Sequence, residues 1–285
     1  MEATVKLSTV PGLAIGVVLA LMSACGAEEP EQAASTSAAG GTGDGSTSAP
    51  GADIHGEVDI GGGRTLYVRC TGTGAPTVVL EGGDGDSSSS YRFAEARIAA
   101  VTRTCVYDRA NLGQSDPAPG PRGLQELVGD LELLFGAASI PGPYVLVGTS
   151  GGGYISVGYA VAHLQDVAGI VLVETPAPFL NPPPEIIDET RWDHPDNRER
   201  RDYLQVEKDA WAARAVVGDI PVTIISNDYG PDAAEGERSN VEDQRGWLVL
   251  SPRAQQIVVT TGHAVEERDP ELVIQSILDV VEAAG

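Results

Sequence analysis

The sequence predicts an α/β fold: a mostly parallel sheet of eight strands with helices on both faces. Three observations carry this expectation. Short, fully apolar runs recur, at Thr77–Glu81, Thr104–Tyr107, Tyr144–Val147, Gly169–Val173 and Val222–Ile225. Segments of helical spacing lie between them, as in Leu124–Ala138, where Leu127, Leu131 and Leu134 share one face. One apolar strand runs straight through Gly148-Thr149-Ser150-Gly151-Gly152 into a helix. Apolar strands separated by helices indicate a parallel sheet covered on both sides.

The elements follow in order. Gly56–Ile60 and Thr65–Cys70 form a hairpin about Gly61-Gly62-Gly63. Thr77–Glu81 is the third strand and leads into Gly82-Gly83-Asp84-Gly85. Tyr91–Ala100 has helical spacing, Thr104–Tyr107 is the fourth strand, and Leu124–Ala138 is an amphipathic helix. Tyr144–Val147 is the fifth strand, followed by a helix over Tyr154–His163. Gly169–Val173, Val222–Ile225 and Ile257–Thr260 complete the sheet. Pro270–Ala283 closes the chain as a helix, with proline at its first position, where the missing N–H is not needed. Residues 175–219 break this rhythm. Pro176, Pro178 and Pro182-Pro183-Pro184 open a segment that turns helical around Asn197–Val216. Excursions of this length are usually functional.

The N-terminus reads differently. Val10–Met22 is almost wholly apolar, too short to span a membrane and of the length of a secretory signal. Cys25 after Leu21-Met22-Ser23-Ala24 resembles the lipobox of bacterial lipoproteins. That resemblance implies residues 1–24 as a signal peptide and a lipidated Cys25; the alternative is an ordinary cleaved signal. Residues 25–53 are Ala, Ser, Thr, Gly, Glu and Pro, which cannot bury enough apolar surface to offset ordering. They read as a disordered tether to a domain over residues 54–285. An exported protein, lipid-anchored at the outer face of a bacterial cell membrane or else secreted, is the expectation.

The net charge of −23 excludes nucleic acid as a partner, because phosphates would be repelled, and disfavours polyanionic substrates. No His, Cys and acidic residues stand at metal-ligand spacing, and the glycines around Ser150 lack the lysine of a phosphate loop. No metal and no cofactor are expected.

The chemistry centres on Ser150. A serine at the apex of a strand–turn–helix sits in strained backbone, and the turn is so tight that flanking side chains would collide. Gly148 and Gly152 remove those side chains. An activated serine needs a base, and the base an orienting acid. Of four histidines, His55 lies at the end of the linker, His163 ends the helix after Ser150, and His194 lies in Asp193-His194-Pro195. His263 follows the last strand and is the candidate base.

Together these motifs resemble the α/β-hydrolase superfamily, of the proline-iminopeptidase-like or esterase-like sort. Val106-Tyr107-Asp108-Arg109-Ala110-Asn111-Leu112-Gly113-Gln114-Ser115 resembles the family's Tyr-Asp-Arg-x-Gly-x-Gly-x-Ser segment, with Asn111 where glycine is usual. Gly262-His263 followed by Asp269-Pro270-Glu271-Leu272-Val273 resembles its Gly-His ending. The resemblance implies that residues 175–219 are a short lid after the sixth strand. It implies oxyanion donors at the backbone N–H groups of Asp84 and Gly151, with Gly82-Gly83-Asp84 standing where many members have His-Gly-x. An inward Asp84 carboxylate would oppose the oxyanion, so it is expected to face solvent or a substrate cation. Asp108, Arg109 and Glu81 read as fasteners of the loop beneath the site. Trp192, Trp211 and Trp247 read as packing.

The acid is open among three residues. The family's usual place, after the seventh strand, offers Asp228 and Asp232. Some members use an acid after the sixth strand, where this chain has Glu174. A carboxylate ending an apolar strand is costly unless paired, which favours Glu174, with Asp228 as the alternate. Cys70 and Cys105 fall on neighbouring strands of the implied sheet and are expected to pair; the alternative is two buried thiols.

The function implied is a serine hydrolase cleaving an ester or related acyl bond of a small molecule through an acyl-enzyme. Membrane contact would come only through the lipid anchor. An aminopeptidase-like hydrolase on the same fold, or a non-catalytic, surface-tethered binding protein, are the alternatives.

Overall fold

In a computed structural model, the structure describes residues 51–230 and 241–285. The expected signal segment, Cys25, the tether up to residue 50, and Asp232 lie outside the described residues. The strands are β1 (Ile54–Gly61), β2 (Arg64–Thr71), β3 (Thr77–Glu81), β4 (Thr104–Tyr107), β5 (Tyr144–Thr149), β6 (Val167–Val173), β7 (Val222–Asn227) and β8 (Ala254–Val259). The helices are α1 (Arg92–Ala99), α2 (Leu124–Ala137), α3 (Gly152–Ala162), α4 (Pro184–Glu189), α5 (Tyr203–Ala213), α6 (Val265–Arg268) and α7 (Pro270–Ala284). Single 3-10 helices occupy Ser88–Tyr91 and Arg245–Leu250.

The eight strands form one sheet in the order β1-β2-β4-β3-β5-β6-β7-β8. β1 and β2 pair antiparallel, as do β2 and β4, and the remaining pairs are parallel. The period-2 alternation of each strand divides its side chains between two cores. Val79, Leu146, Ile170 and Leu172 meet α2 and α3 through Leu131, Leu134 and Ile155. Val78, Leu80, Val145, Val147, Val171 and Val173 meet α1 and α7 through Ile98, Ile274 and Ile277. These side chains are almost wholly excluded from solvent, and each aliphatic group so buried contributes about 1.5–3 kcal/mol. That requirement on both faces explains the uninterrupted apolar runs in the sequence.

Cys70 and Cys105 stand directly opposite each other in the β2/β4 register and form a disulfide. Six of the eight strands extend beyond the sequence reading by one to three residues at one or both ends, β3 and β4 match it, and β8 ends one residue earlier. His55 lies within β1, and its ring packs edge-on against Tyr67 rather than belonging to a linker. Between β6 and β7 there are two helices where one was expected: α4 begins at Pro184 and α5 ends at Ala213. The polyproline run that reads as a loop thus ends by opening a helix.

Candidate active site

Register brings the candidate residues to one sheet edge. Thr149 on β5 is paired with Val173 on β6, so Ser150 and Glu174 leave adjacent parallel strands at the same level. Both then turn into left-handed backbone, each with φ +48°. Non-glycine residues in that region cost about 1–3 kcal/mol and persist only where the surroundings hold them. The holding contacts are backbone bonds: Ser150 N–H donates to Val173 O at 2.8 Å, and Glu174 N–H to Ile225 O at 2.8 Å.

The turn at Ser150 leaves no room for side chains on either flank. A Cβ at Gly148 would stand 2.5 Å from Gly153 Cα, and one at Gly152 would stand 2.4 Å from Gly82 O. The obstacle at Gly152 is therefore the loop after β3, not the opposite arm of the turn.

Glu174 is completely buried and its carboxylate lies 3.3 Å from Nδ1 of His263. Its Oε1 accepts from Asn227 N–H at 2.5 Å and from Gln244 Nε2 at 3.1 Å; its Oε2 accepts from Tyr229 Oη at 3.0 Å. Asn227 also accepts from Gly262 N–H at 2.7 Å, fixing the loop that carries His263. The hydrogen bond to Glu174 raises the His263 pKa above its ordinary 6.5, against the opposing effect of burial. Asp228 does not meet His263. Its Oδ1 accepts from Gly230 N–H at 2.8 Å, closing its own exposed turn. His163 stacks on Tyr159, and His194 accepts from the Asp196 N–H at 3.3 Å, so each is engaged elsewhere.

The loop after β3 is held by buried charge. Arg109 donates to Glu81 at 2.7 Å, to the carbonyls of Gly82 and Gly83 at 2.7 and 2.6 Å, and to both oxygens of Glu199 at 2.9 Å. Tyr107 donates to the other Glu81 oxygen. Asp108 accepts from Ser88 N–H at 2.6 Å and Gln114 N–H at 2.8 Å. Asp108, Arg109 and Glu81 therefore fasten loops. Asn111 has φ +73°, a left-handed conformation that asparagine tolerates, in keeping with its standing where the resembled motif has glycine.

Asp84 meets expectation in part. Its side chain is 38% exposed, as expected of a solvent-facing carboxylate, but it also pairs with the buried Arg201 of the β6–β7 segment at 2.5 Å. It also lies flat against the turn, since a Cβ on Gly151 would stand 1.7 Å from Asp84 Oδ1. Burial raises the Asp84 pKa, and Arg201 pulls against that rise. Sequence reasoning missed Arg201, Glu199, Asn227 and Gln244. Only Glu199-Arg200-Arg201, a charged run within the expected lid, carried a signal. Trp247 fills the core beside the site, donating to Thr175 O at 3.0 Å, and Trp211 packs on it edge-to-face. Among the described residues, no group of His, Cys, Asp and Glu could hold a metal ion. No helix of the described residues is long and apolar enough to cross a membrane.

Residues 78–279 match the alpha/beta hydrolase family, so the chain belongs to that family and is a hydrolase. It is 25% identical over 222 residues to YqjL of Bacillus subtilis (strain 168), covering 73% of this chain and 85% of YqjL. It is 32% identical over 145 residues to a Hormonema carpetanum protein described as the probable transporter efuK, covering 48% of this chain but only 21% of that one. The chain thus spans about a fifth of that relative's length. A thermophilic esterase from Thermogutta terrifontis shares the fold, with TM-score 0.64 and 18% identity over 82% of this chain and 99% of its own.

Proposed function

We propose that the chain is a serine esterase acting on a small-molecule ester or related acyl compound. The observation that carries this is the 3.3 Å contact between His263 and the buried Glu174, beside a serine on the strained turn between β5 and α3. In this reading Ser150 Oγ attacks the acyl carbon and His263 takes the hydroxyl proton. Glu174 holds the imidazole tautomer and stabilises its protonated form. The N–H groups of Asp84 and Gly151 bind the tetrahedral oxyanion, which the positive end of α3 also favours. His263 then gives the proton to the departing alcohol, leaving an acyl-Ser150. Water, deprotonated by His263, attacks that ester and returns the acid and free serine. The negative surface steers the enzyme away from polyanionic substrates.

Fluorophosphonate labelling tests the reading. Wild-type protein is expected to label at one site and Ser150→Ala to label not at all. A folded wild type that stays unlabelled overturns it.

We further propose export, with lipidation of Cys25 as the route to the membrane surface. A disulfide between Cys70 and Cys105 supports an oxidising compartment. Mass spectrometry of the protein made in a lipoprotein-processing bacterium tests it: diacylated Cys25 at the mature N-terminus supports the anchor, and a chain beginning elsewhere without lipid removes it.

A further inference from the structure

We propose that Arg201 is a positioning residue for the oxyanion hole: from the β6–β7 segment it holds the residues supplying both donors and keeps the carboxylate between them paired. The inference rests on the reading of Asp84 and Gly151 as donors, and adds a part to it. Arg201 is completely buried. One nitrogen of its guanidinium donates to the Asp84 carboxylate at 2.5 Å, and the other to the Gly151 carbonyl at 3.0 Å. No other side chain bridges these two residues among the described residues.

The placement of Asp84 creates the need. Its carboxylate lies against Gly151, immediately beside Ser150. A negative charge there opposes the negative charge that develops on the acyl oxygen unless a cation is paired with it. Asp84 faces Arg201, Glu199, Arg109 and His263, and Asp86 on its own loop, Tyr154 on α3, and Tyr203 and Glu207 on α5 also interact with it. Of the two cations, Arg109 is committed to Glu81 and Glu199, so Arg201 is the one bonded to Asp84. Arg201 is itself fixed from several sides. Its backbone is held by Asn197 at 2.7 Å and 3.3 Å, and its guanidinium lies 5.2 Å from the Tyr203 ring and 5.9 Å from the Tyr154 ring. Two residues earlier, Glu199 accepts from Gly85 N–H at 2.6 Å, tying the same strap to the same loop.

A double-mutant cycle tests this with p-nitrophenyl acetate turnover and fluorophosphonate labelling rate. Arg201→Met is expected to lose about 10²-fold in kcat with little change in KM, the size seen when an oxyanion donor is lost. Its loss should deepen as pH rises and Asp84 ionises. Arg201→Met/Asp84→Asn is expected to recover at least a tenth of wild-type kcat and to lose that pH dependence. A merely structural strap would not be rescued by removing a charge. Arg201→Gln, which keeps a donor for the Gly151 carbonyl, serves the same cycle if the methionine variant does not fold. A folded Arg201 variant with wild-type kcat, or a double variant no faster than the single, overturns the proposal. Wild type that neither turns over nor labels overturns the esterase reading itself, before Arg201 is at issue.

Discussion

Glu174 Oε2 lies 3.3 Å from His263 Nδ1, while the rest of the carboxylate is bound by Asn227, Tyr229 and Gln244. A buried carboxylate is costly unless donors satisfy it, and one held in place by them fixes one imidazole tautomer. Glu174→Gln keeps the shape and removes the charge. It is expected to lower kcat by ~10²–10⁴ with the fold intact. Asp228→Asn, whose partner is its own turn, should stay within a few-fold of wild type in steady-state ester hydrolysis. The reverse ranking would move the acid to Asp228.

The same contact sets the pH dependence. Hydrogen bonding to Glu174 raises the His263 pKa, so the imidazole holds its proton to higher pH than an ordinary histidine. A general base must be neutral, so kcat/KM should fall on acidification through a midpoint above 6.5. Glu174→Gln should move that midpoint to lower pH. For stability the sign is opposite: the favourable His263–Glu174 pairing is fully present below the unfolded value and fades as pH rises through the folded one. A kcat/KM profile measured on both proteins reads the midpoint directly.

Much of the fold was legible because apolar runs on a doubly covered sheet have no polar positions to blur them, as at Val78–Leu80 and Ile170–Val173. The turn at Ser150 was legible because backbone contact forces glycine at fixed spacing. The placement of Glu174 beside His263 was half legible: burial cost pointed to a partner, while the donors Asn227 and Gln244 come from distant chain positions that no local pattern marks. The exposure of Asp84 was legible, while its pairing with Arg201 was not, because the two lie 117 residues apart. Long-range ion pairs leave no spacing signature.

The disulfide offers a separate test. Cys70 and Cys105 are 35 residues apart, and closing a loop of that length removes denatured-chain entropy equivalent to about 4 kcal/mol. Reduction, or Cys70→Ala/Cys105→Ala, should lower stability by about 2–4 kcal/mol in urea titration. Thiol counting on unfolded, unreduced protein should find neither cysteine free.

Two ion pairs predict losses of very different size from one kind of change. Arg109 is 4% exposed and serves Glu81 and Glu199, which are as deeply buried. Arg109→Met would leave two buried carboxylates without their cation, at a cost of about 3–5 kcal/mol. Arg97 and Glu271 form a pair with side chains 51% and 71% exposed. Arg97→Met should cost below ~1 kcal/mol. Comparable losses for the two would mean that the loop after β3 does not depend on Arg109.

The glycine after the turn is as constrained as the two beside the serine. A Cβ on Gly153 would stand 1.9 Å from Thr175 Oγ1 and 2.7 Å from Thr175 Cγ2. Thr175 follows Glu174 and is completely buried, and its carbonyl is bound by Trp247, so it has nowhere to retreat. Gly153→Ala should therefore push the β6 end away from α3, at a cost near or above ~3 kcal/mol, the upper end for overpacked cores. Gly129→Ala is the contrast, because nothing lies within 4 Å of a Cβ there and it sits inside α2. That variant should gain up to about 1 kcal/mol from helix propensity. The displacement in Gly153→Ala also moves Glu174, so kcat should fall in whatever fraction remains folded. Thr175→Ala, which removes both Oγ1 and Cγ2 and leaves only Cβ at 2.8 Å, should restore part of both stability and turnover when combined with Gly153→Ala. No restoration in thermal melts of the double variant would place the obstacle elsewhere.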